Sequence, residues 1–460
     1  MPLRTPWSEL LYGLNDKPPA ATSLLAGLQH LLAVFGGIVA APLIMAMGMG
    51  LPVLETHYLL SSALLVSGVA TAIQIARPGS LGSGLLSIQG TSFTFIGPVL
   101  FAYHGLPDGM SPENRLAAIF GACALAALIM MLLSSQLPRL QRILSPAVTG
   151  ATVILIGITL VWGTGGKLLG EWQAGSAQSQ FWLVPVLCAA VVGTTLLLAC
   201  QLNPWLRLSS IVAGLAVGAT MAFILGVMDF SVLAGLPRTF IPEPLRYGLG
   251  FDWGVFLILL PVFLVSATES VGDLTATSAL SREPVVGPVY WSRIRGGILG
   301  DAFNSVLAAF FATFPNTTFS QNNGVIRLTG IASRRVGLVV AVFLVLLGFF
   351  PIVAGLVQVL PPTVLYASTL LLFFMVVLSG VNILRREGSR RALLIAGMAM
   401  LGGWLLSSGA QSFSLLPNQI LMIIQYPVST GALIAIMLEI LLPKSALTDA
   451  SGGGLVGHHD

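Results

Sequence analysis

The sequence predicts an all-α protein that crosses a membrane many times. Its 460 residues have a mean hydropathy of +0.92, and 55% of them are hydrophobic. Only 8% are charged, against about 25% in an average soluble domain. The short alternating segments of a membrane β-barrel are absent. The net charge is +4. Because the basic residues are distributed over predicted loops and form no patch, they indicate no nucleic-acid partner.

Twelve uninterrupted apolar segments are each long enough to cross a bilayer as a helix, which takes about 20 residues. They are 23–47, 57–76, 115–135, 146–166, 180–200, 208–228, 253–278, 293–313, 335–360, 363–383, 391–408 and 417–442. Two more segments, 83–103 and 314–331, are apolar but interrupted by polar, Gly and Pro residues. We interpret these two as broken spans with short extended stretches, which gives fourteen spans.

Charge gives the expected orientation. With the first residues inside, 17 of the 21 Lys and Arg residues fall on the cytoplasmic side, as the positive-inside rule requires. Both termini are then cytoplasmic.

Leu10, Leu11 and Leu14 follow Trp7 at near-helical spacing, which predicts an interfacial helix ending near Pro18. The three cysteines show neither metal nor disulfide spacing, so we expect no metal or other cofactor.

The two broken segments are predicted to form the functional site. They are the third span of each seven-span half, and an odd number of spans per half makes the halves inverted. The polar runs are Ser87–Phe93 and Pro315–Gly324. At membrane depth such runs survive only where protein buries them or where they line a wet cavity. Paired interrupted helices of this kind indicate a transporter's midplane site. The alternative is two re-entrant loops whose polar residues are structural.

Few ionisable side chains lie well inside the spans, and each is a functional candidate by default. Glu269 and Asp273 are four residues apart, so they share one helix face. Glu269 is the deeper and can carry a proton or accept hydrogen bonds from a heterocycle, whereas Asp273 can equally be structural. Asp301 and Asn304 share a face of another span, and Asp301 is a candidate for proton coupling.

The remaining candidates are aromatic or can form hydrogen bonds. His30, the one histidine inside a span, is expected to support the site rather than touch a ligand. Phe93 and Phe319 flank the broken segments and can stack on a planar ligand. Amides, hydroxyls, aromatics and carboxylates without a basic cluster suit a flat, neutral solute. No phosphate-binding loop for ATP is present, which indicates secondary transport. An intramembrane enzyme and a passive channel are the other classes considered.

Specific motifs resemble the nucleobase–ascorbate transporter family, and among its members the bacterial xanthine permeases most closely. Gln321–Gly330 is similar to the family signature. The Gln29-His30 pair and Thr268–Asp273 are similar to other segments of the same family. The resemblance extends over nearly the whole chain. It implies a homodimer in the bacterial inner membrane that imports xanthine or a related oxopurine with protons, without enzymatic activity. Uric acid, a wider purine or uracil range, and an anion are the alternative substrates.

The resemblance also implies a domain layout and roles for individual residues. A core domain comprises 23–135 and 253–360, and a gate domain comprises 146–228 and 363–442. Residues 1–22 and 443–460 are cytoplasmic. The resemblance implies Glu269, Gln321 and Asn322 in substrate binding, Asp301 in proton coupling, and a site role for His30. From their positions in the spans, we add Phe93, Ser92 and Phe319 as substrate-binding residues, Glu269 as a second proton-coupling group, and Gln89, Asp273 and Asn304 beside His30 as support. Some xanthine permeases have Asn where this chain has Ser92, so exclusion of uric acid is not implied.

Overall fold

The computed structural model describes residues 10–136, 145–177, 181–203, 206–207, 209–234, 236–413 and 416–442. These residues are mostly helical. Among them, seven helices are long and apolar enough to cross a membrane, or eight if one bent helix pair counts as a span. The chain is therefore a multi-pass helical membrane protein. The count of fourteen spans stays a prediction, and the predicted tail 443–460 lies outside the described residues.

The helices of the first half are α1 (Ala20–Gly48), α2 (Val53–Ala76), α3 (Ile96–Gly105), α4 (Pro112–Leu133), α5 (Pro146–Ala177), α6 (Leu183–Ala199) and α7 (Ser210–Ile224). The first broken segment also carries strand β1 (Gln89–Thr91). Further helices are α8 (Trp253–Leu280), α9 (Gly287–Phe310), α10 (Gln321–Thr329), α11 (Arg334–Phe349), α12 (Pro351–Gln358), α13 (Pro362–Glu387), α14 (Arg390–Ser408), α15 (Asn418–Gln425) and α16 (Pro427–Leu441). Strand β2 is Asn316–Thr318.

Two spans that were predicted to be continuous are broken. The segment 335–360 divides into α11 and α12, which meet at an angle of 75°, and 417–442 divides into α15 and α16. In both cases a proline begins the second helix, and the residue before it, Phe350 or Tyr426, is extended. Proline supplies no backbone N–H and disfavours helical backbone in the residue before it. The ladder of hydrogen bonds therefore stops at these points.

The predicted interfacial helix before α1 is wrong for the residues that are described. Residues 10–19 contain no helix, and Trp7 lies outside the described part. Instead, Tyr12 forms a parallel bridge with Ile331, and the backbone N–H of Arg334 donates to the carbonyl of Leu14 at 3.1 Å. The segment satisfies its backbone by pairing with the chain between α10 and α11, which a local pattern of leucines cannot reveal.

Glycines bring several helix pairs into close contact. An added Cβ at Gly68 of α2 would lie 2.7 Å from the carbonyl of Ala341 in α11. An added Cβ at Gly380 of α13 would lie 2.9 Å from the carbonyl of Gly150 in α5. Small residues permit such approach between membrane helices, where packing rather than hydrophobic burial drives association. Of these two examples, one lies in each of the two predicted domains.

Candidate functional site

The two broken segments meet as a short antiparallel sheet. Gln89 pairs with Thr318, Gly90 with Thr317 and Thr91 with Asn316, and all six residues are buried. In hydrocarbon an unsatisfied backbone group costs several kcal/mol, and this pairing removes that cost for both segments at once. The structure therefore unites the two polar runs at one place, as the prediction of a shared site requires.

A serine begins the helical part of the first broken segment. Ser92 is 2% exposed, and its hydroxyl accepts a bond from the backbone N–H of Thr94 at 3.3 Å. Its own N–H donates to the carbonyl of Pro315 at 3.0 Å, so that group is occupied by the protein. The helices α3 and α10 both start close to the strands, so their positive dipole ends lie at this site.

Glu269 contacts the start of the first broken helix. The Thr94 hydroxyl donates to Oε2 of Glu269 at 2.9 Å, and Glu269 is half-buried on α8. The neighbouring Thr268 hydroxyl lies 2.9 Å from that of Thr149 on α5. Thr94 was missed as a site residue, although its place inside a polar interruption was the available signal. Glu269 therefore lies where α8, the first broken segment and α5 meet.

Asp301 belongs to a buried network behind the strands. Ser270 donates to Oδ2 of Asp301 at 2.5 Å, and the Gln74 side chain donates to Oδ1 at 3.3 Å. The Ser270 hydroxyl also lies 2.9 Å from that of Thr317 in β2. Ser270 directly follows Glu269 on α8, so neighbouring residues of one helix carry the first carboxyl group and contact the second. Sequence reasoning missed Gln74, because its partners Gly297 and Asp301 are distant in the chain.

The third carboxyl group lies close to the other two. Asp273 is within electrostatic range of both Glu269 and Asp301. Its backbone carbonyl accepts a bond from the Asn323 side chain at 3.3 Å, and the Thr277 hydroxyl donates to that same side chain at 2.6 Å. Among the described residues no ion pair involves any of the three carboxyl groups. Ionising all three would therefore leave like charges buried together without a counter-ion.

Several predicted site residues make scaffold contacts. His30 is completely buried beside Asn322, whose amide donates to the carbonyl of Leu86 at 2.5 Å. Asn304 is also completely buried and donates to the carbonyl of Ala70 at 3.3 Å. These bonds fix α10 and α9 to the chain of the first half. Two further predicted residues lie nearby: Gln321 is half-buried as the first residue of α10, and the side chain of Gln89 lies next to Asp301.

The two predicted stacking rings differ in exposure. Phe319 is 5% exposed, and its ring would lie 2.6 Å from a Cβ added at Gly37 and 2.7 Å from one added at Gly90. Phe93 is half-buried, with its ring centroid 6.1 Å from those of Phe319 and of Phe373 on α13. The wedged Phe319 supports the sheet, whereas Phe93 keeps part of its surface beside the boundary with α13.

Comparison with known proteins agrees with the motifs. The model of the permease family Xan_ur_permease matches residues 21–411. The xanthine permease XanP of Escherichia coli K12 is 40% identical over 444 residues, 95% of each chain. XanQ of the same strain is 36% identical over 95% of this chain and 94% of its own length. The uric acid–xanthine permease of Emericella nidulans is 34% identical over 86% of this chain and 75% of its own.

Solved structures show a similar fold at low sequence identity. The transmembrane domain of a cyanobacterium bicarbonate transporter, BicA, superposes with a TM-score of 0.56 at 16% identity, covering 93% of this chain and 99% of that domain. Murine Slc26a9, an anion transporter solved in an inward-facing state, gives 0.56 at 16% identity over 93% and 69%. Permeases, not enzymes, make up the matching family and the relatives named above. From the matched length and the relatives' identity, the chain belongs to the nucleobase–ascorbate transporter family.

Proposed function

We propose that this protein imports xanthine or a closely related oxopurine together with protons. The observation that carries the proposal is the contact of Glu269 with Thr94 beside the paired strands and the exposed side of Phe93. A carboxylate, a hydroxyl and an aromatic ring together match a flat solute with N–H groups on its edge. The names of the relatives, xanthine permease and uric acid–xanthine permease, support the same class of substrate.

The binding chemistry follows from the side chains available. Glu269 accepts hydrogen bonds from the N–H edge of the purine. The Gln321 amide donates from its NH2 group to a purine carbonyl and accepts from a ring N–H through its own oxygen. Phe93 stacks on one face of the ring. The side of the site opposite the substrate is bounded by Asn322, Ser92 and Phe319. A buried amide or carboxylate left without its partner is costly, which penalises solutes that lack the matching edge.

Proton coupling follows from the uncompensated carboxyl groups. Glu269, Asp273 and Asp301 lie close together without an ion pair among the described residues. Taking up a proton at Asp301 or Glu269 removes one of these like charges and lowers the electrostatic repulsion on Asp273. A proton entering with each substrate contributes about 2.3 kcal/mol per 100 mV of membrane potential.

Transport follows from motion of the core domain (23–135 and 253–360) against the gate domain (146–228 and 363–442). Among the described residues, contacts that cross this boundary include three side-chain pairs. They are the Phe93–Phe373 ring pair, the stacked rings of Phe101 and Tyr426 at 5.0 Å, and the Thr149–Thr268 hydroxyl pair at 2.9 Å. All three are weak and reversible, as alternating access requires. We place the protein as a homodimer in the bacterial inner membrane, with both termini in the cytoplasm.

Uptake of labelled xanthine into proteoliposomes tests the proposal. With an inward proton gradient, xanthine accumulates above its outside concentration, and a protonophore abolishes the accumulation. Liposomes without protein are the control. Equilibration without accumulation indicates a channel, and accumulation that resists the protonophore contradicts proton coupling. Competition by unlabelled purines and pyrimidines then ranks xanthine against uric acid and uracil.

An anion is the second candidate substrate, because both structural neighbours are named as transporters of bicarbonate or anions. The polar groups around the strand pair argue against it. The nearest charges among the described residues are carboxyl groups, and a transported anion asks for Arg or Lys. Bicarbonate or chloride flux by the same proteoliposomes, with xanthine uptake absent, would reverse the assignment.

A further inference from the structure

Three arginines come together at one end of the helix bundle, away from the proposed substrate site. Arg77 follows the last residue of α2, Arg293 lies in the second turn of α9, and Arg334 begins α11. Arg334 lies within electrostatic range of both others. Gly84 fixes their proximity: an added Cβ there would lie 2.7 Å from Nη2 of Arg334 and 3.1 Å from Cδ of Arg77.

Only one acid compensates these three positive charges among the described residues. Arg293 pairs with Glu283 at 2.8 Å, and the same carboxylate is the one opposite charge that acts on Arg334. The other two arginines are held by neutral groups. Nε of Arg334 donates to the carbonyl of Gly84 at 2.6 Å, and Arg77 donates to the hydroxyl of Ser292 at 2.7 Å. The cluster therefore keeps a surplus of positive charge.

The guanidinium groups also retain unused donors. Arg293 is 8% exposed, and its Nε and Nη1 atoms have no hydrogen-bond partner within the described part of the chain. The same holds for Nε of Arg77. Burial lowers the pKa of Arg77, and the positive charge of Arg293 lowers it further. Arginine nevertheless stays protonated in proteins, so this arrangement is costly unless an anion completes it.

The start of α11 adds a second unfavourable term. Arg334 and Arg335 occupy its first two positions, and the first turn holds no acidic residue. The positive end of a helix dipole favours negative charge, so two arginines there oppose it. An anion in front of this helix end would compensate the dipole and the arginines together. The Ser333 hydroxyl already accepts a bond from the backbone N–H of Arg335 at 3.2 Å. What remains uncompensated is the positive charge of the Arg334 and Arg335 side chains.

We propose that Arg77, Arg293 and Arg334 form a binding site for a phosphate-type anion. The planar fork of arginine matches phosphate oxygens with paired, charge-assisted hydrogen bonds. The site lies on the same membrane side as the segment that precedes α1, because Arg334 bonds to the backbone of Leu14. On the predicted topology this is the cytoplasmic side, where both anionic lipid headgroups and free phosphate occur. Half-buried Arg77 and the exposed Gly79 and Ser80 keep it open.

The anion would act on the loop that leads into β1. This loop carries Gly82 and Gly84, both with positive φ, and the N–H of Gly82 donates to the carbonyl of Gly296 in α9 at 2.8 Å. Arg77 and Arg334 enclose the loop at Gly84. Binding therefore stiffens the connection between α2 and β1 and raises the stability of the predicted core domain.

Thermal unfolding of the purified protein tests the site in two arms. In detergent free of anionic lipid, inorganic phosphate is titrated against chloride at equal ionic strength. In parallel, nanodiscs of phosphatidylcholine are compared with nanodiscs that also contain phosphatidylglycerol. We expect saturable stabilisation in at least one arm. A response to phosphate identifies a free anion, and a response to phosphatidylglycerol alone identifies a lipid headgroup. No saturable response in either arm overturns the proposal.

Three variants and one control make the test specific. Arg77→Gln and Arg334→Gln each weaken the apparent affinity by about tenfold or more, the effect of losing one charge-assisted bond. Glu283→Gln removes the competing carboxylate and strengthens binding, and it keeps every arginine in place should the arginine variants fold poorly. Arg295→Gln, an exposed arginine on the same helix, leaves the affinity unchanged. Equal weakening by Arg295→Gln, or no strengthening by Glu283→Gln, shows diffuse screening and overturns the proposal.

Discussion

In the described part of the chain, two groups of buried or half-buried acidic side chains have opposite kinds of partner. Glu439 on α16 is 6% exposed and fully paired. Arg391 of α14 donates from Nη1 to both of its carboxylate oxygens at 2.9 Å, and Ser145 donates to Oε2 at 2.9 Å. Arg391 also donates to the carbonyls of Glu439 and Leu442 at the end of α16. In the trio of Glu269, Asp273 and Asp301, the Glu269 carboxylate has a hydroxyl partner and that of Asp301 has a hydroxyl and an amide partner, whereas the bonds to Asp273 go to its backbone carbonyl.

We use the difference to distinguish a structural acid from the acids proposed to act in transport. A buried carboxylate paired with an arginine has a fixed charge, so it joins α14, α16 and the start of α5 permanently. A buried carboxylate with a hydroxyl partner keeps its charge adjustable, because a hydroxyl can donate to the ionised form or accept from the protonated one. Removing the charge should therefore damage stability at Glu439 and transport at Glu269.

The largest expected effect is on stability, in Arg391→Met. This change leaves Glu439 buried without its counter-charge and the end of α16 without its cap, at a cost of about 3–5 kcal/mol in unfolding free energy. Thermal and denaturant unfolding in detergent measures the loss. The double variant Arg391→Met with Glu439→Leu should recover most of it, because no unpaired charge remains. If Arg391→Met kept normal stability but lost transport, the Arg391–Glu439 pair would be functional and its contrast with the carboxyl trio would not hold.

Glu269→Gln should give the reverse pattern. The amide is isosteric and still accepts the bond from Thr94, so stability stays the same or rises. Transport falls by about 100-fold, since a bond between the purine edge and a charged acceptor contributes about 1.5–3 kcal/mol. Labelled xanthine uptake, normalised to folded protein, measures this. Thr149→Val, which removes a neighbouring hydroxyl contact outside the carboxyl trio, is the matched control and should reduce uptake only a few fold. Near-normal uptake by Glu269→Gln would remove its assigned role.

Asp301→Asn tests whether the adjustable charge carries the proton. Asparagine resembles the protonated carboxyl group and retains an acceptor for Ser270, so the protein should fold normally. We expect uptake reduced by about tenfold and independent of external pH and of protonophore, because the titrating step is lost. Asn304→Ser, on the same face of α9, breaks one bond to α2 and should keep the pH dependence. If Asp301→Asn retains it, the proton resides elsewhere, and Glu269 is the next candidate.

The region around the carboxyl trio could be predicted from the sequence better than the Arg391–Glu439 pair. The polar runs inside two apolar segments predicted the place of the strand pair, because polar residues in an apolar segment can be recognised without knowing their partners. Proline was a poor guide to the two additional breaks: Pro351 and Pro427 begin new helices, whereas Pro42 and Pro261 lie inside continuous ones. Neighbouring helices decide that outcome. Arg391 and Glu439 are 48 residues apart, so their pairing could not be predicted from local pattern.

The two phenylalanines extend the comparison to apolar groups. Phe93→Leu should weaken xanthine binding by about three- to tenfold, since aromatic stacking contributes about 0.5–1.5 kcal/mol beyond burial, with little change in stability. Phe319→Leu is the matched variant. Its ring is wedged against Gly37 and Gly90, so the change should destabilise the protein and affect affinity less. Substrate-induced thermal shifts separate the two quantities, and an exchange of the two outcomes would make Phe319 the stacking ring.

The smallest expected effect concerns selectivity, in Ser92→Asn. Both residues cap a helix start well, so the bond to the Thr94 backbone survives and stability changes little. The longer amide takes space beside Glu269, because Thr94 links the two positions. Uric acid, which carries one more oxygen than xanthine, should lose about three- to tenfold in competition for labelled xanthine uptake, and xanthine itself should lose less. Ser92→Ala, which shortens the side chain, is the control and should not discriminate more strongly than the natural residue. An unchanged ratio in Ser92→Asn would place the selective contacts on the gate side, around Phe373.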